Sequence, residues 1–447
     1  MANVRKPLFC FALIVSFISP ACAIDRDHYL ELRKKMAERV AQKDWQGARD
    51  LLMEMGRELP GPTPRFMLTV ASIEARLGHT AAALQWLKKY AATGLTYDVA
   101  KDDDLKGLLA EAAGQKLAAQ MKERSSPVTN TEFVCTLPQT DIMPEDIAYL
   151  KSGDVKTAGN FFVTSIQRHT IYRISLPKPG SKECLMQELP LSAEAKRWPT
   201  LAVSADPTRK ALWATASAMP GFSGFSKEDE GKALLLEVDP ESGKVLRSFD
   251  PGTTGAAVLG DMCVTEDGTV YVSDSIGGGV YRLHGDVQTA KLEKIADGLF
   301  SPQTPVLARD RKRLFVADYA MGVAVIDLAT SNPAAKVNYL PHPDNVAVVG
   351  LDGMYLSGDS LIGIQNGTEP VRILRLLLNQ AQTKITGAQV IEQSVGHDPT
   401  HAVAVDGWFY VSANVGWNKV DDSGKLKPGE KFTAPVLVRF PAKGSGK

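Results

Sequence analysis

No sign of charge dominates this 447-residue chain: 51 Lys and Arg stand against 51 Asp and Glu. A balance of that kind lacks the basic footprint of a nucleic-acid binder or of a protein held on an acidic membrane surface. Aromatics make up 7% of the residues, cysteines number five, and no CxxC pair occurs, so thioredoxin-like and zinc-ribbon readings have no support. GxSxG, P-loop and GxGxxG patterns are missing too, which removes the serine-hydrolase elbow and the common nucleotide folds. Beyond residue 23 no apolar run approaches the ~20 residues that a membrane-spanning helix needs. What is present is ordinary globular composition, 44% hydrophobic and 23% charged, with 37 Gly and 26 Pro to supply many turns.

The first 23 residues read as an export leader. Arg5 and Lys6 precede the apolar core Leu8–Ser19, and Ala21-Cys22-Ala23 forms a small-residue cleavage site. A lipoprotein alternative, acylated on Cys22, is weaker because Ser19 stands where a large aliphatic residue is wanted. The mature chain is expected in the periplasm or secreted. Of its three cysteines, Cys135, Cys184 and Cys263, two could pair and leave one over, or all could be buried thiols.

From residue 24 to about 125 the apolar spacing is helical. Residues 42–55 lie over 76–89 at an offset of 34, with Ala48 over Ala82 and Met53 over Leu87. That period resembles two tetratricopeptide-like hairpins followed by a helical cap, although the large aromatic positions of the first helix are not filled. Such a region implies either a groove for a protein partner or an appendage packed on the main domain. A linker follows at 126–131.

After the linker the period changes to two. Six units recur, with Phe162, Trp213, Tyr271, Phe315, Ile362 and Tyr410 at one equivalent position and intervals of 44 to 58 residues. Short strands at a period near 50, with Asp-Gly turn signals between them, predict a mainly β fold: a six-bladed β-propeller over 132–442, with a flexible tail at 443–447. Residues 435–440 are expected to share the closing blade with 132–137, so that no free sheet edge remains.

The segments MPEDIAYL, GDMCVTEDGTVYVSDS, SPQTPVLARDRKRLFVADY and LDGMYLSGDSLIGIQNG resemble blades of the senescence-marker-protein/gluconolactonase family. The resemblance covers about 300 residues. It implies a divalent cation on the propeller axis, calcium first and zinc second, and metal-assisted hydrolysis of a lactone or ester. Carried over by position, Glu145 and Asp352 match the family's Glu and Asp; Asp261, after a Gly260 that bears no ligand, and Gln303 stand where the family has Asn-Asp and Asn-Gly pairs. Glu145, Asp261, Gln303 and Asp352 are therefore the candidate metal ligands. Asp352 is the candidate catalytic base, against the plainer reading of Asp352-Gly353 as a turn at a strand start. Asp274 and Asp318 are expected to serve turns through Asx bonds to backbone.

In HDPTH, Pro399 and the strand after it argue for a loop over a helical zinc half-site, and His397 becomes a candidate pocket-lining residue at the funnel rim. Trp198 and Trp417 read as packing or rim residues. The competing function is a non-catalytic propeller that binds a small ligand or a protein partner, with the helical region as adaptor.

Overall fold

The computed structural model describes residues 24–443 apart from 152–159, 254, 286–288, 331, 334, 336, 395–397 and 422. The expected leader and His397 lie outside these residues. Six four-stranded antiparallel sheets follow one another around a ring, which makes the chain a six-bladed β-propeller preceded by five α-helices.

Blades one to five each run outward from an inner strand: Ile147–Leu150, Thr200–Asp206, Leu259–Val264, Pro302–Leu307 and Leu351–Ser357. Blade six starts at Ala402–Val405 and is finished from both chain ends, because Glu132–Thr136 pairs with Val436–Pro441 as its outermost strand. That is the closure read from the sequence. A disulfide between Cys135 and Cys184, with Cα atoms 5.5 Å apart, ties this outermost strand to the first blade, while Cys263 stays a free thiol.

The six equivalent positions of the repeat all fall on the second strand of their blade. Trp213, Phe162, Phe315 and Ile362 have no exposed surface, and Tyr271 and Tyr410 are nearly as buried. The turn chemistry also works locally. Asp406 and Gly407 both take positive φ (47° and 82°) between the paired Val405 and Trp408, the two-residue turn whose twist suits a hairpin.

The helices α1 (Arg26–Ala41), α2 (Trp45–Glu58), α3 (Pro64–Arg76), α4 (Thr80–Ala92) and α5 (Ala112–Glu123) begin, in the first three cases, at recognisable caps. The side chains of Asp25, Asp44 and Thr63 accept from backbone N–H groups in the first turns of α1, α2 and α3, and Pro64 opens α3. Leu52, Phe66 and Val70 join one apolar core with Tyr271, Leu299 and Leu314 of blades three and four. Tyr29 meets Phe300 edge-on at 5.3 Å, and Arg26 donates to the carbonyl of Gly277 at 3.0 Å. The helical region is thus packed on the propeller. Among the described residues no helix is long and apolar enough to cross a membrane.

Candidate functional site in the propeller funnel

Inner strands of neighbouring blades lie side by side around the ring, so residues at their starts face one another across the axis. Glu145 and Asp146 stand just before the first inner strand, Asp261 lies on the third, Gln303 on the fourth, Asp352 on the fifth, and His401 just before the sixth. Five blades therefore contribute to one place.

Glu145, Asp261, Gln303 and Asp352 line a single cavity of about 620 Å³. Two of these acids, Glu145 and Asp352, form a group with His401 in which each offers one ligand atom within 4.8 Å of the others. Asp261 stands one step behind, with Oδ2 at 3.0 Å from His401 Nε2. Gln303 is on the cavity wall and gives its amide to Ser301 Oγ at 3.1 Å. Gly260 is narrow by necessity, since a Cβ there would come within 3.3 Å of Ser275 Oγ.

The backbone holds His401 in one tautomer. Nδ1 sits 3.0 Å from the carbonyl of Glu145, which can only accept, so that nitrogen carries the proton. Nε2 then faces the carboxylates, with Asp261 Oδ2 at 3.0 Å. The same arrangement of a ring N–H on a carbonyl fixes many metal-binding imidazoles.

Each carboxylate has its own support. Trp417 Nε1 donates to Glu145 Oε2. Asn366 Nδ2 donates to Asp352 Oδ2 at 2.6 Å and is itself oriented by Tyr319, whose hydroxyl lies 3.0 Å from Asn366 Oδ1. Thr304 Oγ1 lies 2.8 Å from Asp261 Oδ2 and 3.0 Å from the carbonyl of Asp352. Asp146 has both oxygens on backbone, accepting from the N–H groups of Ile147 and Val203 at 2.7 and 2.9 Å.

The charges do not balance. Four carboxyl groups and one imidazole are each 8% exposed or less, and among the described residues no Lys or Arg lines the cavity. Burial, and then Asp352 beside it, push Glu145 well above the ordinary carboxylate range. Burial raises Asp352 to about 7, helped by Asp261, while His401 pulls the other way. Asp146 rises to about 6, again from burial first. For His401, burial disfavours the charged ring, but Asp261, Asp146 and Asp352 outweigh it and hold its pKa well above the usual value. Buried like charges of this density require protons or a cation.

Sequence reasoning did not find His401. Proline argued correctly for a loop in HDPTH, but the position of His401 immediately before an inner strand matches that of Glu145-Asp146, and this register was the signal available. Trp417, read as packing or rim, is a cavity-lining donor to Glu145. Trp198 is buried and does not line the cavity. Asp274 and Asp318 are turn residues as expected, each accepting three backbone N–H bonds.

No protein-family model matches the chain, and no curated protein does. Among solved structures, the PQQ-bound aldose sugar dehydrogenase of Streptomyces coelicolor is 14% identical, with 71% of this chain and 98% of that one covered and a TM-score of 0.45. An oxidoreductase of Thermus thermophilus, described as a glucose dehydrogenase, is 16% identical over 70% of this chain and 99% of its own, at a TM-score of 0.46. The virginiamycin B lyase of Staphylococcus aureus is 12% identical over 64% of this chain and 84% of its own, at 0.40. At such identities the likeness is one of fold.

Proposed function

We propose that this chain is an exported, metal-assisted hydrolase of the gluconolactonase type that opens a lactone or ester in the propeller funnel. One observation carries the reading: three buried carboxyl groups, Glu145, Asp261 and Asp352, converge on the His401 imidazole beside a cavity with no Lys or Arg among its described lining residues. A divalent cation suits that donor set. Glu145, Asp352 and His401 would hold it, with Asp261 and Gln303 next to them. The imidazole nitrogen favours zinc or manganese over calcium, whose ligands are oxygens. The Cys135–Cys184 disulfide supports an oxidising compartment, in line with the leader at 1–23.

A bound divalent cation supplies polarisation of the scissile carbonyl. The remaining work falls to the chain's own side chains. Asn366 and Tyr319 fix one oxygen of Asp352, and the other is left to take a proton from the attacking water. Without an ion, burial raises Asp352 to about 7; a cation beside it would favour the ionised form, the form a base needs at neutral pH. Trp417 keeps Glu145 turned inward. Cys263 is unsuited as a nucleophile, because burial pushes its thiol up to about 12.

A second reading is favoured by a second cavity. A groove of about 1160 Å³ lies between the helices and blade five, lined among others by Trp45, Leu68, Tyr97 and Glu369. It would suit a tetratricopeptide-like adaptor that presents a ligand-binding, non-catalytic propeller to a protein partner.

Metal analysis and calorimetric titration with Zn²⁺, Mn²⁺ and Ca²⁺, followed by assays on aliphatic and sugar lactones and aryl esters, separate the two readings. One divalent ion per chain, with turnover lost on chelation and in Asp352→Asn, supports the hydrolase. Absence of both metal binding and turnover hands the case to the binding module.

A further inference from the structure

The funnel stays negative after its floor has been filled. Resting on the metal reading above, a divalent ion would offset two of the three carboxylates at Glu145, Asp261 and Asp352 and leave an excess of negative charge. Two more acids, Asp398 and Glu369, line the same cavity. Asp398 accepts from the N–H of Gly416 at 2.7 Å, a neutral partner that leaves its charge uncancelled. Glu369 is exposed on the blade-five loop, and its backbone carbonyl, rather than its side chain, is what holds Thr96 of the helical region. The compensating cations found elsewhere on this molecule are missing here, since no Lys or Arg is among the described lining residues.

Apolar and aromatic side chains form another part of the wall, beside the polar Ser275, Gln303, Asn366 and Asn418. Leu201, Met219, Val258, Val371 and Trp417 line it, and Ile276 stands at its edge with half of its surface exposed. An isoleucine left open beside a charged floor offers contact to an apolar body, and Trp417 and Tyr319 bring aromatic rings to the same wall, where a cation is attracted. A cleft lined by one sign of charge between low-dielectric walls focuses the field and concentrates ligands of the opposite sign.

We propose that the funnel selects its substrate by charge: it takes an amphipathic molecule carrying an ammonium group, accepts an uncharged relative less well, and rejects the anionic relative. The cationic end would lie toward Glu369 and Asp398, and the apolar body against Ile276 and its neighbours. Sugar acids, phosphate esters and other anions are excluded by the same field. Glu369 is then a specificity-determining residue at the mouth, outside the groups that would hold the metal.

Three aromatic probes test this on the full-length mature chain: benzyltrimethylammonium, benzyl alcohol and benzenesulfonate, titrated calorimetrically with and without Zn²⁺. The expected order of affinity is ammonium, alcohol, sulfonate, with about tenfold or more between the first and last at low salt, shrinking as ionic strength rises. Glu369→Gln, on an exposed loop, should cut the preference about threefold, and Glu369→Lys should cut it further, with the fold checked by circular dichroism. Equal affinity for all three probes, including no measurable binding of any, overturns the proposal, as does tighter binding of the sulfonate. Failure of the metal reading is distinguishable: Zn²⁺ would then give no heat, while the charge order among the three probes would persist in the metal-free chain.

Discussion

Two sets of buried acids, one ending the second strands of blades and the other near the starts of inner strands, solve the burial of charge in opposite ways. Asp318 has no exposed surface, yet its oxygens accept from the N–H groups of Phe300, Ser301 and Ala320 and from the hydroxyl of Tyr339. Asp274 is held likewise by Val258, Ile276 and Gly277. These carboxylates end a strand and are satisfied by neutral donors. Across the funnel, Glu145, Asp261 and Asp352 face one another with a single imidazole among them. Burial of an acid is therefore no mark of function in this fold. The distinguishing feature is whether backbone donors or other charges fill its surroundings.

The comparison is broken most severely by substituting on the satisfied side. Asp318→Ala strands three backbone N–H groups and a tyrosine hydroxyl in a dry interior, and should cost about 3–5 kcal/mol of stability in urea unfolding. On the funnel side the sign reverses. Asp352→Asn removes one of several crowded charges while keeping an oxygen for Asn366, so the metal-free variant should be more stable than the parent by about 1–3 kcal/mol. The same variant should lose the rise in melting temperature that Zn²⁺ gives the parent. Destabilisation of metal-free Asp352→Asn would show that the funnel acids are held as firmly as Asp318.

A pH series sharpens the contrast at intermediate size. Asp352 is raised to about 7 in the folded chain, from an ordinary value of 3.8, so between those values the unfolded chain ionises first and stability falls as pH rises. His401 is held above its ordinary 6.5, so the stability it contributes is complete below that value and is lost as pH climbs through its folded pKa. Both push the same way. The metal-free chain should melt progressively lower from about pH 5 to pH 8, and the stabilisation by Zn²⁺ should grow over the same interval as protons cease to compete. A metal-free melting temperature that rises steadily across this range would refute the assignment.

How much of this was legible in the sequence depends on what each residue obeys. The repeat of Phe162, Trp213, Tyr271, Phe315, Ile362 and Tyr410 is enforced blade by blade through burial, so it surfaced as a period and revealed the fold. Asp274 and Asp318 obey local turn chemistry, which short-range reasoning reads well. Glu145 and Asp352 came from a resemblance, and the ring of blades brings them within reach of one another. His401 did not surface, because its meaning lies in a register shared with blades up to some 250 residues away, while its near neighbours Asp398 and Pro399 describe only a loop. The packing of α1 and α3 on blades three and four was equally hidden, since an amphipathic helix does not announce which surface it covers.

Arg372 is the mirror image of Asp318 and carries the smallest expected effect. It is 4% exposed and has no carboxylate partner among the described residues. Its Nε and Nη2 donate to Gln365 Oε1 at 2.9 and 2.6 Å, and Nη1 reaches the carbonyl of Thr93, just past the end of α4, at 3.4 Å. Burial depresses its pKa to about 10, which leaves the group charged at neutral pH. If neutral donors suffice for a buried anion, neutral acceptors should suffice for this buried cation. Arg372→Met keeps the apolar stem and relieves the desolvated charge, but strands the amide oxygen of Gln365. The two effects oppose each other, so a net loss of only about 1 kcal/mol is expected. The local consequence should exceed the global one. Hydrogen exchange should quicken at the C-terminal turn of α4 and at Thr96, which is anchored to Glu369, while the inner strands stay protected. A loss above about 3 kcal/mol would instead place Arg372 among groups whose charge the fold requires.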